Sequence, residues 1–208
     1  MQAQFPAMPG IVLAGGRSLR MGQPKALLPW TRSGVTLGAH VIETLRDAGL
    51  APLAIVTGAH HDRIAPVFAG TDVLVLYNAR HEEGQLASLQ AGLRWAFSEH
   101  AVDWATVTLV DVPAVRPDTV RLLAGRAASS DSLVIRPEIH GKHGHPVIWR
   151  RAAAAMLDTA DPTVGGRALV RALAAKGHVL DVPVDDPGVL TDVDTPEEYE
   201  ALRGKQRL

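Results

Sequence analysis

The sequence predicts an α/β protein, a mostly parallel open sheet with helices on both faces. Three observations carry that expectation. Short apolar, β-rich runs alternate with helical patterns from one end of the chain to the other. Glycine and proline punctuate the changes between them. No internal repeat and no linker interrupts the 208 residues, so residues 1–208 are expected to fold as one domain around a full core.

The candidate strands, in order, are residues 10–14, 53–58, 73–77, 105–110, 133–136, 146–149 and 179–184. Continuous apolar runs of this kind suit strands buried on both faces. Between the first two, Leu37, Val41, Ile42 and Leu45 share one face of a helix, which Gly49, Leu50, Ala51 and Pro52 bring to an end. Gly70-Thr71-Asp72 punctuates the approach to the third strand, and Leu86, Leu89, Ala91 and Leu93 mark a helix after it. The final helix has a complete start signal. Thr195 is its cap, Pro196 its first residue, and Glu198 completes a capping box. From Arg203 to Leu208 the tail is polar and expected to fray.

Composition narrows the function classes. Hydrophobic residues make up 47% of the chain, as in an ordinary globular protein, and the formal net charge is −1. A bulk nucleic-acid or membrane-surface binder would be markedly basic, so neither partner is expected. No apolar run is long enough to span a bilayer, and residues 1–9 carry no secretory pattern. Cysteine is absent, which excludes disulfides and thiolate metal sites and is compatible with the cytoplasm.

The chemistry concentrates where the first strand ends. Ile11-Val12-Leu13-Ala14 runs directly into Gly15-Gly16, and Arg20 and Lys25 follow within the next turn. Glycines let a backbone approach an anion closely, successive N–H groups can cradle it, and Arg and Lys add fixed positive charge. The loop is not a P-loop, because Gly22 is followed by Gln23 and Lys25 by Ala26; it is not a dinucleotide loop either, because Arg17 stands where the second glycine would. A triphosphate laid over the loop is the functional expectation, and a solvated glycine loop is the plain structural one.

In open sheets of this class ligands bind beyond the carboxyl ends of the strands. The glycine loop occupies such an end, and so does Asp111, which follows Thr106-Val107-Thr108-Leu109-Val110 and precedes Val112-Pro113. A triphosphate normally arrives with Mg²⁺, a hard cation that takes carboxylate and phosphate oxygens. Asp111 suits that role, as it would suit a turn or cap.

The run Leu13-Ala14-Gly15-Gly16-Arg17-Ser18-Leu19-Arg20-Met21-Gly22, with Lys25 three residues on, resembles the signature L-A-[GA]-G-x-S-x-R-M-G-x-x-K of nucleotidyltransferases related to MobA, the molybdenum-cofactor enzymes. The resemblance extends over residues 10–202 and implies a Rossmann-like nucleotidyltransferase fold. It implies Arg20 and Lys25 as catalytic residues, and Asp111 as a Mg²⁺ ligand. In related sugar-nucleotide synthetases the aspartate of a D-T-P-E element holds the same metal. Asp194 is thus a second candidate beside its role ahead of the last helix, with Asp192 in reserve. The resemblance places Leu13, Ala14, Gly15, Gly16, Gly84, Gln85 and Ser88 around the nucleotide; the residue types alone also fit an ordinary helix start.

Gly144-His145-Pro146-Val147 is similar to an element of the cytidylyltransferase branch and makes His145 a candidate for acceptor binding. Lys142 and His143 could join it in meeting a phosphate and a pterin. His140 and His143 suit a plain surface loop equally, and His60 and His61 are expected at the surface. In Asp161-Pro162-Thr163-Val164-Gly165-Gly166-Arg167 only Gly165 and Arg167 match a G-D-x-G-A-R-like turn of that branch, so Arg167 is either an acceptor contact or a solvated helix residue.

The implied activity is transfer of a nucleoside monophosphate from a nucleoside triphosphate to the phosphate of a molybdopterin-type cofactor, with release of pyrophosphate. A molybdenum hydroxylase is the implied recipient of the product. The lysine spacing and Gly144–Val147 element favour CTP, whereas Leu-Ala-Gly-Gly is the form that accompanies GTP. Other sugar- or alcohol-phosphate nucleotidyltransferases share the first loop. Alternatives of a different class are a non-catalytic cofactor carrier, which need not keep a metal–triphosphate site, and a regulatory nucleotide sensor, which would bind nucleotide without releasing pyrophosphate.

Overall fold

The computed structural model describes residues 5, 7–31, 33–158 and 165–205. Eight strands form one sheet: β1 (Gly10–Ala14), β2 (Leu53–Thr57), β3 (Leu74–Tyr77), β4 (Trp104–Leu109), β5 (Val134–Ile139), β6 (Lys142–His143), β7 (Val147–Arg150) and β8 (Val179–Pro183). The helices are α1 (Leu37–Asp47), α2 (His61–Ile64), α3 (Gln85–Glu99), α4 (Pro117–Ala127), α5 (Arg151–Asp158), α6 (Gly165–Ala175) and α7 (Pro196–Lys205). The spatial order is β3-β2-β1-β4-β7-β5-β6, with β8 also on β5. Pairings β1–β2, β1–β4, β2–β3 and β5–β8 are parallel, whereas β4–β7, β5–β7 and β5–β6 are antiparallel. Because β7 is reversed between β4 and β5, its first residues come to the same sheet edge as the last residues of β1 and β4.

The strand pleat divides the core in two. Val12, Ala14 and Ile55 pack on one face with Val41, Ile42 and Leu45 of α1 and Val120 and Leu123 of α4. Ile11, Leu13, Ala54 and Val56 face the other way, against Leu86, Leu89 and Leu93 of α3, Leu157 of α5 and Leu173 of α6. Alternate side chains point to opposite faces of a strand, so a doubly covered strand must be apolar at every position, as β1 and β2 are.

Two details depart from expectation. The fifth strand runs on to Ile139, and a two-residue turn at His140 (φ 50°) and Gly141 (φ 76°) returns it as β6. Positive φ at both central residues is the turn geometry whose twist matches a β-hairpin. The histidine string 140–145 is therefore a hairpin and the entry to β7, with no free loop. At the other end, Arg203 to Lys205 continue α7 in helix instead of fraying; residues 206–208 lie outside the described part.

The segment before α7 is clamped to the rest of the molecule. Asp186 is 2% exposed, and its carboxylate accepts from the Arg116 N–H (2.9 Å), the Thr119 hydroxyl (2.6 Å) and the Gly188 N–H (3.1 Å). A buried charge must be satisfied in this way to be tolerated. Gly144 presses against the same segment, since a Cβ there would lie 1.8 Å from the Val189 carbonyl oxygen. The clash is with backbone and cannot be relieved by a rotamer change. Gly144→Ala should therefore lower unfolding free energy by roughly 2 kcal/mol or more. Gly125→Ala, in α4 with open space around the position, should raise it by about 0.5–1 kcal/mol. Denaturant unfolding of both variants checks the pair.

Candidate active site

The glycine loop leaves β1 pressed against α3. A Cβ on Gly15 would stand 2.7 Å from Ser88 Oγ, and one on Gly58 2.7 Å from the Gly15 carbonyl oxygen. Gly16 by contrast faces open space. Beyond it the chain curls back. Ser18 takes a left-handed conformation (φ 49°), its carbonyl accepts from the Met21 N–H at 3.0 Å, and its hydroxyl accepts from the Lys25 N–H at 3.2 Å. The curl is anchored by a small apolar cluster of Met21, Leu28, Trp30, Leu37, Val193 and Tyr199, and the Tyr199 hydroxyl donates to the Pro29 carbonyl. The loop and the start of α7 are thereby held together.

Between them lies a charged cluster. Lys25 Nζ donates to Asp111 Oδ2 at 2.9 Å and to Asp194 Oδ1 at 2.7 Å, and Arg20 reaches Asp194 Oδ2 at 2.7 Å. The two aspartates are joined through the backbone as well, because the Val193 N–H donates to the Asp111 carbonyl at 2.8 Å. Glu198 accepts from the N–H groups of Asp194 (2.8 Å) and Thr195 (2.9 Å), while its own N–H donates to Thr195 Oγ1 at 3.3 Å. The capping box thus also fixes the Asp194 main chain. Burial pushes the Lys25 ammonium down, but the hydrogen bonds and charges of Asp194 and Asp111 outweigh it and hold it above the usual lysine value. The Lys25 hydrogen bond holds the Asp194 carboxyl below its ordinary range against a smaller opposing desolvation, with Arg20 assisting.

Asp111 Oδ1 is buried and has no hydrogen-bond partner. Such an orphan is costly unless a ligand satisfies it, and a carboxylate oxygen beside a second carboxylate is a donor set that fits a hard divalent cation. Among the described residues no group of three or more His, Asp or Glu side chains could hold a metal by itself.

The cluster forms one wall of a cavity of about 400 Å³. Leu13, Ala14, Gly15, Gly16, Arg20, Lys25, Gly84, Gln85, Ser88, Asp111 and Asp194 all line it. The geometry therefore brings together the two cations, two carboxylates and seven nucleotide-site residues singled out in the sequence. Asp192 is exposed and does not line it. His145 lies next door, in a second cavity of about 800 Å³ that shares Leu13, Gly84, Gln85 and Leu109 with the first. Burial pushes the His145 imidazole down to about 4, against the pull of the Asp111 charge and the Val107 carbonyl, so it is a neutral hydrogen-bonding group. Its Nδ1 is buried without a partner. Positive charge in this cavity comes instead from Arg136, Arg167 and Arg171; Arg136 is paired with Asp181 at 2.6 Å. His143 also lines it, 3.3 Å from Asp181, whereas Lys142 does not. Residues 161–164 of the turn before Arg167 lie outside the described residues.

His60 and His61 are not free surface groups. His60 Nε2 meets the Arg17 carbonyl at 3.1 Å, and His61 Nδ1 meets Thr57 Oγ1 at 2.8 Å, so both brace the glycine loop and β2. Asn78 was not singled out in the sequence. It follows β3, is 5% exposed, and donates from Nδ2 to Ser88 Oγ at 3.1 Å. An asparagine in a polar turn gives no sign of this, because the contact is made across 10 residues by packing.

The depressed Asp194 carboxyl has a consequence for acid stability. Its contribution is complete above the unfolded value of about pH 4 and is lost as the pH falls through the lower folded value. Thermal unfolding followed from about pH 6 to about pH 2 should decline less steeply in Asp194→Asn than in the unaltered chain. An equally steep decline would place the acid sensitivity elsewhere.

Residues 10–179 match a family model described as the MobA-like NTP transferase domain. The chain is 31% identical over 196 residues to a protein of Mycobacterium tuberculosis (strain ATCC 25618 / H37Rv) named "Probable molybdenum cofactor guanylyltransferase", covering 89% of this chain and 88% of that one. A protein of the same name from Mycobacterium avium (strain 104) is 29% identical over 193 residues, 93% of each chain. Among solved structures, Rv0371c from Mycobacterium tuberculosis H37Rv superposes with a TM-score of 0.77 at 26% identity, over 95% of this chain and 98% of that one. A nucleotidyl transferase from Methanothermobacter thermautotroptrophicus shares the fold, with a TM-score of 0.78 at 24% identity over 96% and 97% of the two chains. A structure of Rv0371c in complex with manganese also shares it, with a TM-score of 0.70 at 24% identity over 95% and 98%. Since the family match begins with β1 and runs to the start of β8, taking in the glycine loop and Asp111, this chain belongs to the MobA-like NTP transferase family and is a nucleotidyltransferase.

Proposed function

We propose that the chain transfers a nucleoside monophosphate from a nucleoside triphosphate to the phosphate of a molybdopterin-type cofactor, releasing pyrophosphate. The observation that carries this reading is the convergence of Lys25, Arg20, Asp111 and Asp194 beside the glycine loop, in one cavity that shares lining residues with a second. Names of the curated relatives support the molybdenum-cofactor acceptor, and a molybdenum hydroxylase is the proposed recipient of the product.

An acceptor phosphate oxygen attacks the α-phosphorus, a new P–O bond forms, and the bond to the β-phosphate oxygen breaks as pyrophosphate leaves. Such a reaction needs positioning and charge stabilisation and no covalent intermediate on the protein. Arg20, exposed at the cavity mouth, is assigned to the outgoing β- and γ-phosphates. Lys25, whose ammonium is firmly protonated, is assigned to the α-phosphate, where charge spreads during transfer. Asp111 and Asp194 would hold Mg²⁺ or manganese beside the phosphates. That ion, when bound, would neutralise phosphate charge and favour departure of pyrophosphate. Backbone at Leu13, Ala14, Gly15 and Gly16, with Gly84, Gln85 and Ser88, seats the base and ribose. His145 and Arg167 in the second cavity are assigned to the acceptor, His145 as a neutral hydrogen-bonding group and Arg167 as a phosphate partner.

GTP is the proposed donor. The curated relatives are named guanylyltransferases, and the loop carries Leu13-Ala14-Gly15-Gly16, the form that accompanies GTP. CTP is the second reading, carried by the three-residue step from Gly22 to Lys25 and by Gly144-His145-Pro146-Val147.

Pyrophosphate release with Mg²⁺ and molybdopterin, compared for GTP, CTP, ATP and UTP, tests both. Turnover with GTP is expected; turnover with CTP alone would make the second reading the correct one. Lys25→Ala and Asp111→Ala should each lower turnover at least about a hundredfold while circular dichroism stays that of the folded chain. Near-normal turnover in either variant would remove the role given to that residue.

A further inference from the structure

Asn78 uses its polar groups in a way that fixes its side-chain orientation. Its main-chain N–H donates to the Thr57 carbonyl at 2.9 Å, and its carbonyl accepts from the His81 N–H at 3.2 Å. Its side-chain Oδ1 accepts from the Arg80 N–H at 3.0 Å, and Nδ2 donates to Ser88 Oγ at 3.1 Å. The amide cannot be turned over, because Nδ2 would then face the Arg80 N–H, donor against donor. Ser88 Oγ is thus an obligate acceptor toward Asn78. Asn78 and Ser88 are both buried, and among the described residues no protein acceptor meets the serine hydroxyl. Ser88 lines the cavity, and Gly15 lies so close that a Cβ there would be 2.7 Å from Oγ.

We propose that Asn78 is a positioning residue for nucleotide selection: by donating to Ser88 Oγ it frees the serine proton to point into the cavity, so that Ser88 presents a donor to the base. The base edge seated there must then offer an acceptor, such as a ring carbonyl or an unprotonated ring nitrogen. This inference rests on the proposed nucleotide site and deepens it by giving the site's hydrogen-bond polarity. Asn78→Asp is nearly isosteric and keeps an oxygen for the Arg80 N–H. It removes the donor, however, so the serine proton turns to the new carboxylate and the cavity is left with an acceptor in its place.

Nucleotide dissociation constants measured by calorimetry with Mg²⁺, using GTP and CTP as probes and no acceptor, test the proposal. Asn78→Asp should weaken binding of the nucleotide that the unaltered chain prefers by about tenfold, the value of one hydrogen bond reversed in a buried site. Ser88→Ala leaves Asn78 untouched, removes the same proton and should weaken binding to a similar degree. Adding Asn78→Asp to Ser88→Ala should then change the constant by less than about twofold, since the proton it redirects is already gone. A merely structural Asn78 would weaken binding equally in both backgrounds, and that result would overturn the proposal, as would unaltered binding in Ser88→Ala. Failure of the unaltered chain to bind either nucleotide would overturn the nucleotide site and this inference with it.

Discussion

Lys25 sits where three distant parts of the chain meet. Its ammonium bridges Asp111, at the end of β4, and Asp194, ahead of α7, while its own segment continues the loop that leaves β1. The lysine side chain is only 12% exposed, so the pair of carboxylates is what makes a charge tolerable there. Remove the lysine and two carboxylates face each other across a half-buried gap; remove the aspartates and a cation is left without solvation. The same electrostatic need suits a metal–triphosphate complex, in which cation and anions alternate over a few ångströms. A site built this way holds its charges in place before any ligand arrives.

Packing elsewhere serves that arrangement. Asp186, satisfied by three donors, ties the segment before α7 to the start of α4, and Gly144 and Gly188 allow neighbouring backbone to approach it. Gly188 in particular comes so close to Ala114 that a Cβ would lie 2.1 Å from its carbonyl oxygen. The Val193–Asp111 hydrogen bond then passes this anchoring directly to the two carboxylates. On the other side of the loop, Gly58, Gly15 and Ser88 are stacked closely enough that a side chain at either glycine would clash.

The antiparallel β7 gives the molecule its second cavity. A parallel strand beside β4 would bring its last residues to the functional edge, but β7 brings its first ones, and with them His145. Burial keeps that imidazole neutral at physiological pH, so the arginines of α6 and β5 supply the charge. Two cavities sharing a wall of Leu13, Gly84, Gln85 and Leu109 suit a reaction between two bound molecules.

Much of this was legible in the residues. Local pattern sets strands and helices through the pleat and the 3.6-residue turn, so β1, β2, α1, α3 and the capped start of α7 could be read directly. Loop chemistry is equally local: Gly15, Gly16, Arg20 and Lys25 have the residue types of an anion-binding loop, and Asp111 follows an apolar strand as a sheet-edge carboxylate should. What could not be read are the relations between segments. That Asp194 and not Asp192 turns inward, that desolvation keeps the half-buried His145 neutral, that β6 forms a hairpin, and that Asn78 orients Ser88 all depend on contacts between positions far apart in sequence. Hydrogen bonding, desolvation and close backbone approach act through space, and only the folded chain brings their partners together.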